Sequence, residues 1–112
     1  ETVVREATAK MLEDLGYKVL ECRDGEEAVD LFRAISHDVD AVVLDMVMPR
    51  LAGPEAFEAM RAIKPDVKVL LASGFSINGA ASGLLKAGAA GFLQKPYQIE
   101  ELSQKLHDIL KT

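Results

Sequence analysis

Apolar residues recur at helical spacing at the start of the chain and then in a short run. The first predicted helix carries them three or four positions apart, at Val4, Ala7, Met11, Leu12 and Leu15. Gly16 stands where a glycine commonly ends a helix. The segment from Tyr17 to Cys22 then predicts a short strand. The chain therefore opens with a helix followed by a strand.

The second predicted helix follows Asp24, a residue type that favours the N-cap position. Its apolar face carries Ala28, Leu31, Phe32 and Ile35. Two continuous apolar runs come later, Asp40 to Asp45 and Val67 to Ser73, and such runs are typical of parallel strands that are buried on both faces. Between them, Pro54 suits the first turn of a helix that continues to about Ile63.

The last third of the chain predicts a helix, a strand and a helix. A glycine-rich segment contains a weak helix around Ala80 to Ala87, and Gly91 to Lys95 predicts a strand. The closing helix, Gln98 to Lys111, has an apolar face made by Ile99, Leu102, Leu106, Ile109 and Leu110. The alternation predicts one α/β domain: an open, doubly wound parallel sheet with helices on both faces. Because the chain opens on a helix, we expect a strand before Glu1.

Composition and charge exclude some function classes. The chain has 112 residues, of which 49% are hydrophobic and 28% charged, and its net charge of -5 disfavours nucleic acid or an anionic membrane as a direct partner. Cys22 is the single cysteine, so an intrachain disulfide is excluded and a cytoplasmic location is expected. No apolar run approaches the roughly 20 residues of a membrane helix.

Three chemically active residue types stand at the ends of predicted strands: Asp45, Ser73 and Lys95. The carboxyl ends of parallel strands meet at one edge of an open sheet, where ligands bind. A carboxylate can act as a nucleophile, an ammonium can pair with phosphoryl oxygens and a hydroxyl can donate a hydrogen bond to them. Since carboxylate and phosphoryl group repel each other, a divalent cation is also needed. Each residue alone has an ordinary structural explanation, but together they predict a phosphoryl-transfer site.

The motifs around these residues resemble a known family. "VVLDMVMPRLAG", "LLASGF" and "GFLQKPY" are similar to the receiver domain of two-component signalling, a flavodoxin-like (βα)5 fold with strand order 2-1-3-4-5. The resemblance implies Asp45 as phosphoacceptor, Ser73 as switch hydroxyl and Lys95 as the phosphoryl-pairing lysine. It also implies a cis Lys95–Pro96 bond and Phe92 as the switch aromatic.

The same resemblance implies a Mg²⁺ site. Its ligands are Asp45, the backbone carbonyl of Val47 and a pair of acidic residues at the end of the first strand. The register places that strand and both acids just upstream of Glu1, so the domain is expected to be N-terminally incomplete.

The implied function is a signalling switch and not an enzyme, although such a switch assists its own aspartyl phosphorylation and dephosphorylation. Asp45 takes a phosphoryl group from a sensor histidine kinase or phosphotransfer domain, and the surface of the last two helices and the intervening strand changes. A homodimer through those helices is a further option. The C-terminal part most resembles receivers attached to hybrid sensor histidine kinases, and a stand-alone regulator stays open.

Two other function classes remain. A receiver-like module could bind partners without being phosphorylated. An aspartate-nucleophile phosphatase has a similar core, but such enzymes usually carry a second acid where Val47 stands, and the absence of that general acid counts against turnover.

Overall fold

A parallel sheet forms the centre of the molecule. The computed structural model describes residues 2–22, 24–46, 53–73, 79–95 and 97–111, with the side chains of all of these except 2–5 and 79–81. Within that part of the chain the sheet has three strands in the order β1-β2-β3, namely β1 (Val42–Asp45), β2 (Val69–Ser73) and β3 (Gly91–Gln94). All pairings are parallel. This order corresponds to the 3-4-5 part of the predicted sheet.

From β1 onward, helices alternate with strands as predicted, and the helix bounds are α1 (Thr2–Asp14), α2 (Gly25–Ile35), α3 (Gly53–Ile63), α4 (Gly79–Lys86) and α5 (Ile99–Leu110). A 3₁₀ turn, Ser36–Asp38, follows α2. Gly16 has a φ of 98° just beyond α1, a conformation that glycine adopts without steric cost. The predicted N-cap is confirmed, because the Asp24 side chain accepts a hydrogen bond of 2.9 Å from the Glu27 amide.

Helices cover both faces of the sheet, as the doubly wound prediction requires. One face packs against α2, α3 and α4 in a core of Val29, Phe32, Leu44, Ala56, Phe57, Met60, Val67, Val69, Leu71 and Leu84. The other face packs against α5 and α1, with a core of Leu70, Leu93, Leu102, Leu106 and Ile109 and with Met11 and Leu12 packed against it. Residues 69, 70 and 71 alternate between the two cores, as consecutive residues of a strand do.

The strand predicted for Tyr17–Cys22 is wrong for the described structure, in which this segment is assigned to no strand. A strand is defined by hydrogen bonds to a neighbour. The strand order of the described sheet is β1-β2-β3, in which β1 is an edge strand and this segment has no place. Leu20 is accordingly 68% exposed.

Because β1 lies at the edge of the described sheet, it is less buried than predicted. Every residue of β2 is buried, as predicted for a strand that is covered on both faces. In β1, Leu44 is fully buried, whereas Val42 and Val43 are half-buried.

Among the described helices, none combines the length and apolar character that a bilayer span requires.

Candidate functional site

The carboxyl ends of the three strands meet at one edge of the sheet, as the sequence predicts. Asp45 pairs with Ala72, and Ser73 pairs with Gln94. Backbone hydrogen bonds continue just beyond the strands, from the Met46 amide to the Ala72 carbonyl (2.9 Å) and from the Lys95 amide to the Ser73 carbonyl (2.7 Å). Lys95 follows β3 directly instead of ending it. These bonds fix the backbones of Asp45 and Lys95 on opposite sides of the end of β2.

The side chains of Asp45 and Lys95 meet across this edge. The Lys95 Nζ atom donates a hydrogen bond to the Asp45 Oδ2 atom. The pair is partly accessible, with 25% of the aspartate side chain and 21% of the lysine side chain exposed. Ser73 lies at the end of the strand between them and is 5% exposed. The structure thus brings together all three residues that the strand ends predicted.

Gly53, the first residue of α3, contacts the end of β1. Its amide donates a hydrogen bond of 3.3 Å to the Met46 carbonyl, so α3 begins against the end of β1. A Cβ atom at position 53 would lie 2.7 Å from the Met46 Cα atom and 3.0 Å from the Asp45 carbonyl oxygen. Backbone atoms cannot yield to such contacts as a flexible side chain can. The glycine in the motif after Asp45 is therefore required by the close approach of α3 to the site.

This arrangement suits chemistry on an anionic group. A carboxylate on the rigid end of a strand keeps a fixed direction while its exposed part stays within reach of a partner. The Lys95 ammonium beside it is a compact positive charge with three donors, which can turn from one oxygen anion to another. The site therefore holds a candidate nucleophile together with a group that stabilises added negative charge.

The described residues supply one part of a magnesium site. Mg²⁺ binds through oxygen ligands and commonly through one or two carboxylates, and the Asp45 carboxylate has this chemistry. Within the described ranges no group of three or more His, Cys, Asp or Glu residues is placed to hold a metal. Val47 lies outside the described residues, and so does the predicted acidic pair. Asp45 fits the ion as one ligand of a larger set.

The remaining predicted site features have different outcomes. Phe92 pairs with Leu71 and is half-buried against the core between the sheet and α3, so its switch role stays a prediction. The predicted cis bond involves Pro96, which lies outside the described residues, as does the loop 74–78.

The hydrogen bond between Thr8 and Tyr97, two positions beyond Lys95, is not indicated by any sequence motif. The Thr8 hydroxyl on α1 and the Tyr97 hydroxyl just before α5 are hydrogen-bonded at 2.7 Å, although 89 positions separate the two residues. This pair was not predicted, because neither residue belongs to a motif that indicates the other.

Known proteins of one family match this chain. The model of the response regulator receiver domain matches residues 1–107. Sensor kinase CckA of Brucella abortus is 32% identical over 111 residues, covering 99% of this chain and 12% of that protein. Response regulator MprA of Mycolicibacterium vanbaalenii is 39% identical over 109 residues, covering 96% of this chain and 46% of that protein. The chain thus spans less than half the length of these relatives.

Solved structures of receiver domains have the same fold as this chain. A response regulator receiver domain protein from Clostridium thermocellum has a TM-score of 0.94 at 26% identity, covering 99% of this chain and 88% of its own. The receiver domain of sensor histidine kinase PA1611 from Pseudomonas aeruginosa, solved with a magnesium ion in its active site cleft, has a TM-score of 0.89 at 27% identity and covers 100% of this chain and 92% of its own. The chain belongs to the response regulator receiver domain family of two-component systems.

Proposed function

We propose that this receiver domain is a phosphorylation switch in which Asp45 accepts a phosphoryl group from a phosphohistidine of a sensor kinase or phosphotransfer domain. The observation that carries the proposal is the contact between the Asp45 carboxylate and the Lys95 ammonium at the carboxyl edge of the sheet. A partly exposed carboxylate held beside a cation can both reach a phosphodonor and share the charge that arrives with the phosphoryl group.

In the proposed reaction an Asp45 carboxylate oxygen forms a bond to phosphorus while the bond from phosphorus to the histidine nitrogen breaks. The imidazole leaves with the electron pair of that bond and takes up a proton, and Asp45 becomes an acyl phosphate. Lys95 turns from the carboxylate to the new phosphoryl oxygens. The Ser73 hydroxyl donates a hydrogen bond to the same group, since Ser73 ends the strand between the other two residues.

Mg²⁺ is the proposed cofactor. It would be held by Asp45, the Val47 carbonyl and the two acidic residues expected upstream of Glu1. When bound, the ion neutralises the repulsion between carboxylate and phosphoryl group. Support comes from the magnesium ion in the cleft of the PA1611 receiver domain.

The proposed response is a change of surface. Movement of the Ser73 hydroxyl toward the phosphoryl group would draw the loop 74–78 inward, and Phe92 would turn to follow it. The affected surface is formed by α4, β3 and α5. Changes there would alter binding to a partner protein or to a second copy of the chain.

The proposed location of this domain is the cytoplasm, and the proposed parent protein is a hybrid sensor histidine kinase or a response regulator. The similarity to sensor kinase CckA supports the first and the similarity to MprA supports the second. Nucleic acid and membrane are not proposed as direct partners of this domain, because its net charge is -5.

The test is phosphorylation of Asp45→Asn. With a small phosphodonor such as phosphoramidate and Mg²⁺, the natural full-length protein should acquire one base-labile, hydroxylamine-sensitive phosphate on the peptide that contains Asp45, and the variant should not. Asp40→Asn is the matched control, since Asp40 is exposed and precedes β1. Equal labelling of the Asp45→Asn peptide overturns the proposal.

Beryllofluoride separates the alternative functions. Binding of beryllofluoride in the presence of Mg²⁺ supports a phosphoryl-accepting switch, whereas the absence of binding supports a receiver-like module that is never phosphorylated. Steady release of phosphate from small phosphoesters would support the phosphatase alternative.

A further inference from the structure

The segment that carries Lys95 is tied to the first helix of the domain. Tyr97 lies between β3 and α5, and its hydroxyl is hydrogen-bonded to the Thr8 hydroxyl of α1 at 2.7 Å. Both residues are half-buried. The Tyr97 ring also packs against the core formed by Leu70, Leu93, Leu102, Leu106 and Ile109. The tyrosine is thus held by packing along its ring and by a hydrogen bond at its tip.

Tyr97 is only two positions beyond Lys95, and the residue between them is a proline, a residue type with little backbone freedom. On the other side, the Lys95 amide donates a hydrogen bond of 2.7 Å to the Ser73 carbonyl. The backbone that carries the lysine is therefore anchored before and after Lys95.

This anchoring matters because a lysine side chain is a flexible stem. Its ammonium reaches Asp45 reliably only if the backbone that carries the stem keeps its place. Functional groups lose much of their effect when they are displaced by about 1 Å. A fixed Tyr97 restricts displacement of Lys95 away from the carboxylate.

We infer that Thr8 and Tyr97 are positioning residues, whose mutual hydrogen bond holds Lys95 against Asp45 and thereby supports phosphoryl transfer. The second part rests on the proposed function of Asp45. The first part, the placement of the lysine, is measurable in the unphosphorylated protein. Neither Thr8 nor Tyr97 is assigned contact with the phosphoryl group, so their removal acts through Lys95.

Lysine reactivity measures that placement directly. In the natural full-length protein, brief labelling with an amine-directed acetylating reagent, followed by mass spectrometry of peptides, compares Lys95 with the exposed Lys105 on α5. An ammonium that is bonded to a carboxylate reacts slowly. We expect Thr8→Val and Tyr97→Phe each to raise the reactivity of Lys95 by roughly threefold, the scale set by one neutral hydrogen bond, with Lys105 unchanged.

Two matched variants separate positioning from packing. Tyr17→Phe makes the same change in a tyrosine that packs against the same core and whose hydroxyl has no hydrogen-bond partner among the described residues, so Lys95 reactivity should stay at the wild-type level. Thr8→Ser retains a hydroxyl, and it should restore most of the protection that Thr8→Val removes.

Phosphorylation is the second measurement. With phosphoramidate and Mg²⁺, Thr8→Val and Tyr97→Phe should slow labelling of Asp45 by a similar factor. The double variant should be no slower than either single variant, because both substitutions remove the same hydrogen bond. If wild type is not labelled, the proposed function fails, while the reactivity of Lys95 still tests the placement.

The inference is overturned if Tyr97→Phe or Thr8→Val lowers thermal stability but leaves Lys95 reactivity unchanged. It is also overturned if Tyr17→Phe or Thr8→Ser raises the reactivity of Lys95 as much as Tyr97→Phe does, since loss of packing would then explain the increase.

Discussion

The Lys95 ammonium donates to the Asp45 carboxylate across 50 positions of sequence, and the contact spans the end of β2. It exists because the central strand holds both neighbours: the Asp45 strand pairs on one side of β2, and the backbone of Lys95 bonds to Ser73 on the other. The same parallel pairing therefore forms both the core and the site. Substitution of a side chain in the site leaves that pairing in place, so its effect on phosphoryl transfer can be measured separately from its effect on folding.

Lys95→Met should impair phosphoryl transfer far more than folding. The pair is intermediate between a surface and a buried ion pair, with 21% and 25% of its side chains exposed, so we expect its loss to lower the free energy of unfolding by about 1–2 kcal/mol. Loss of a charge that stabilises the incoming phosphoryl group should lower the rate of Asp45 phosphorylation by roughly 100-fold. Urea denaturation and phosphoramidate kinetics measure the two effects. Lys105→Met serves as the control and should change neither; a large loss of stability in Lys95→Met together with a normal rate would contradict the separation.

Gly53→Ala tests the close approach of α3 to Asp45. The added methyl group would lie 2.7 Å from the Met46 Cα atom, so the backbone must shift, and we expect the free energy of unfolding to fall by about 1–3 kcal/mol. Gly83→Ala is the matched variant, because a Cβ atom there meets nothing within 4 Å on the exposed side of α4. It should stabilise the protein by about 0.5–1 kcal/mol through helix propensity. Equal effects in urea denaturation would show that the contact at Gly53 is unimportant.

Features of the fold and site that depend on a few neighbouring residues, or on one general rule of strand arrangement, were predictable from the sequence. The N-cap at Asp24 and the glycine after α1 are determined within a few residues, so the sequence predicts them directly. The grouping of Asp45, Ser73 and Lys95 follows from one rule, that parallel strands end at a common edge.

Features that depend on distant neighbours were not predictable in this way. The segment Tyr17–Cys22 has a suitable strand pattern, yet strand formation requires a paired neighbour that its own residues do not supply. The bond from Thr8 to Tyr97 and the contact of Gly53 with Met46 likewise depend on how helices are placed around the sheet. A periodic pattern identifies helices but does not give their separation.

Asp24→Ala should destabilise the protein by at least about 1 kcal/mol. Asp24 is 7% exposed, and its carboxylate accepts a hydrogen bond from the Glu27 amide at the start of α2. Asp24→Ser keeps a capping oxygen and should retain most of the stability. Asp30→Ala provides the surface comparison, because Asp30 is exposed and is paired with Arg33 at 3.3 Å; it should cost less than about 0.5 kcal/mol. Thermal and urea denaturation of the three variants measure these differences, and equal losses for Asp24→Ala and Asp30→Ala would exclude the capping role.

Gly88→Ala should cost more than Gly16→Ala, and Arg61 should account for the difference. Both glycines have positive φ, 120° and 98°, so each alanine carries backbone strain of about 1–2 kcal/mol. A Cβ atom at Gly16 meets nothing within 4 Å, but one at Gly88 would clash with the Arg61 Nη1 atom.

Arg61 donates a hydrogen bond to the Ala87 carbonyl at the end of α4 and lies over the Phe57 ring, with Cζ 5.7 Å from the ring centroid. Moving it should cost about a further 1 kcal/mol. That extra cost should disappear in an Arg61→Ala background, where Gly88→Ala and Gly16→Ala become equally destabilising in urea denaturation. An unchanged excess in that background would mean that strain at Gly88, rather than displacement of Arg61, causes the difference.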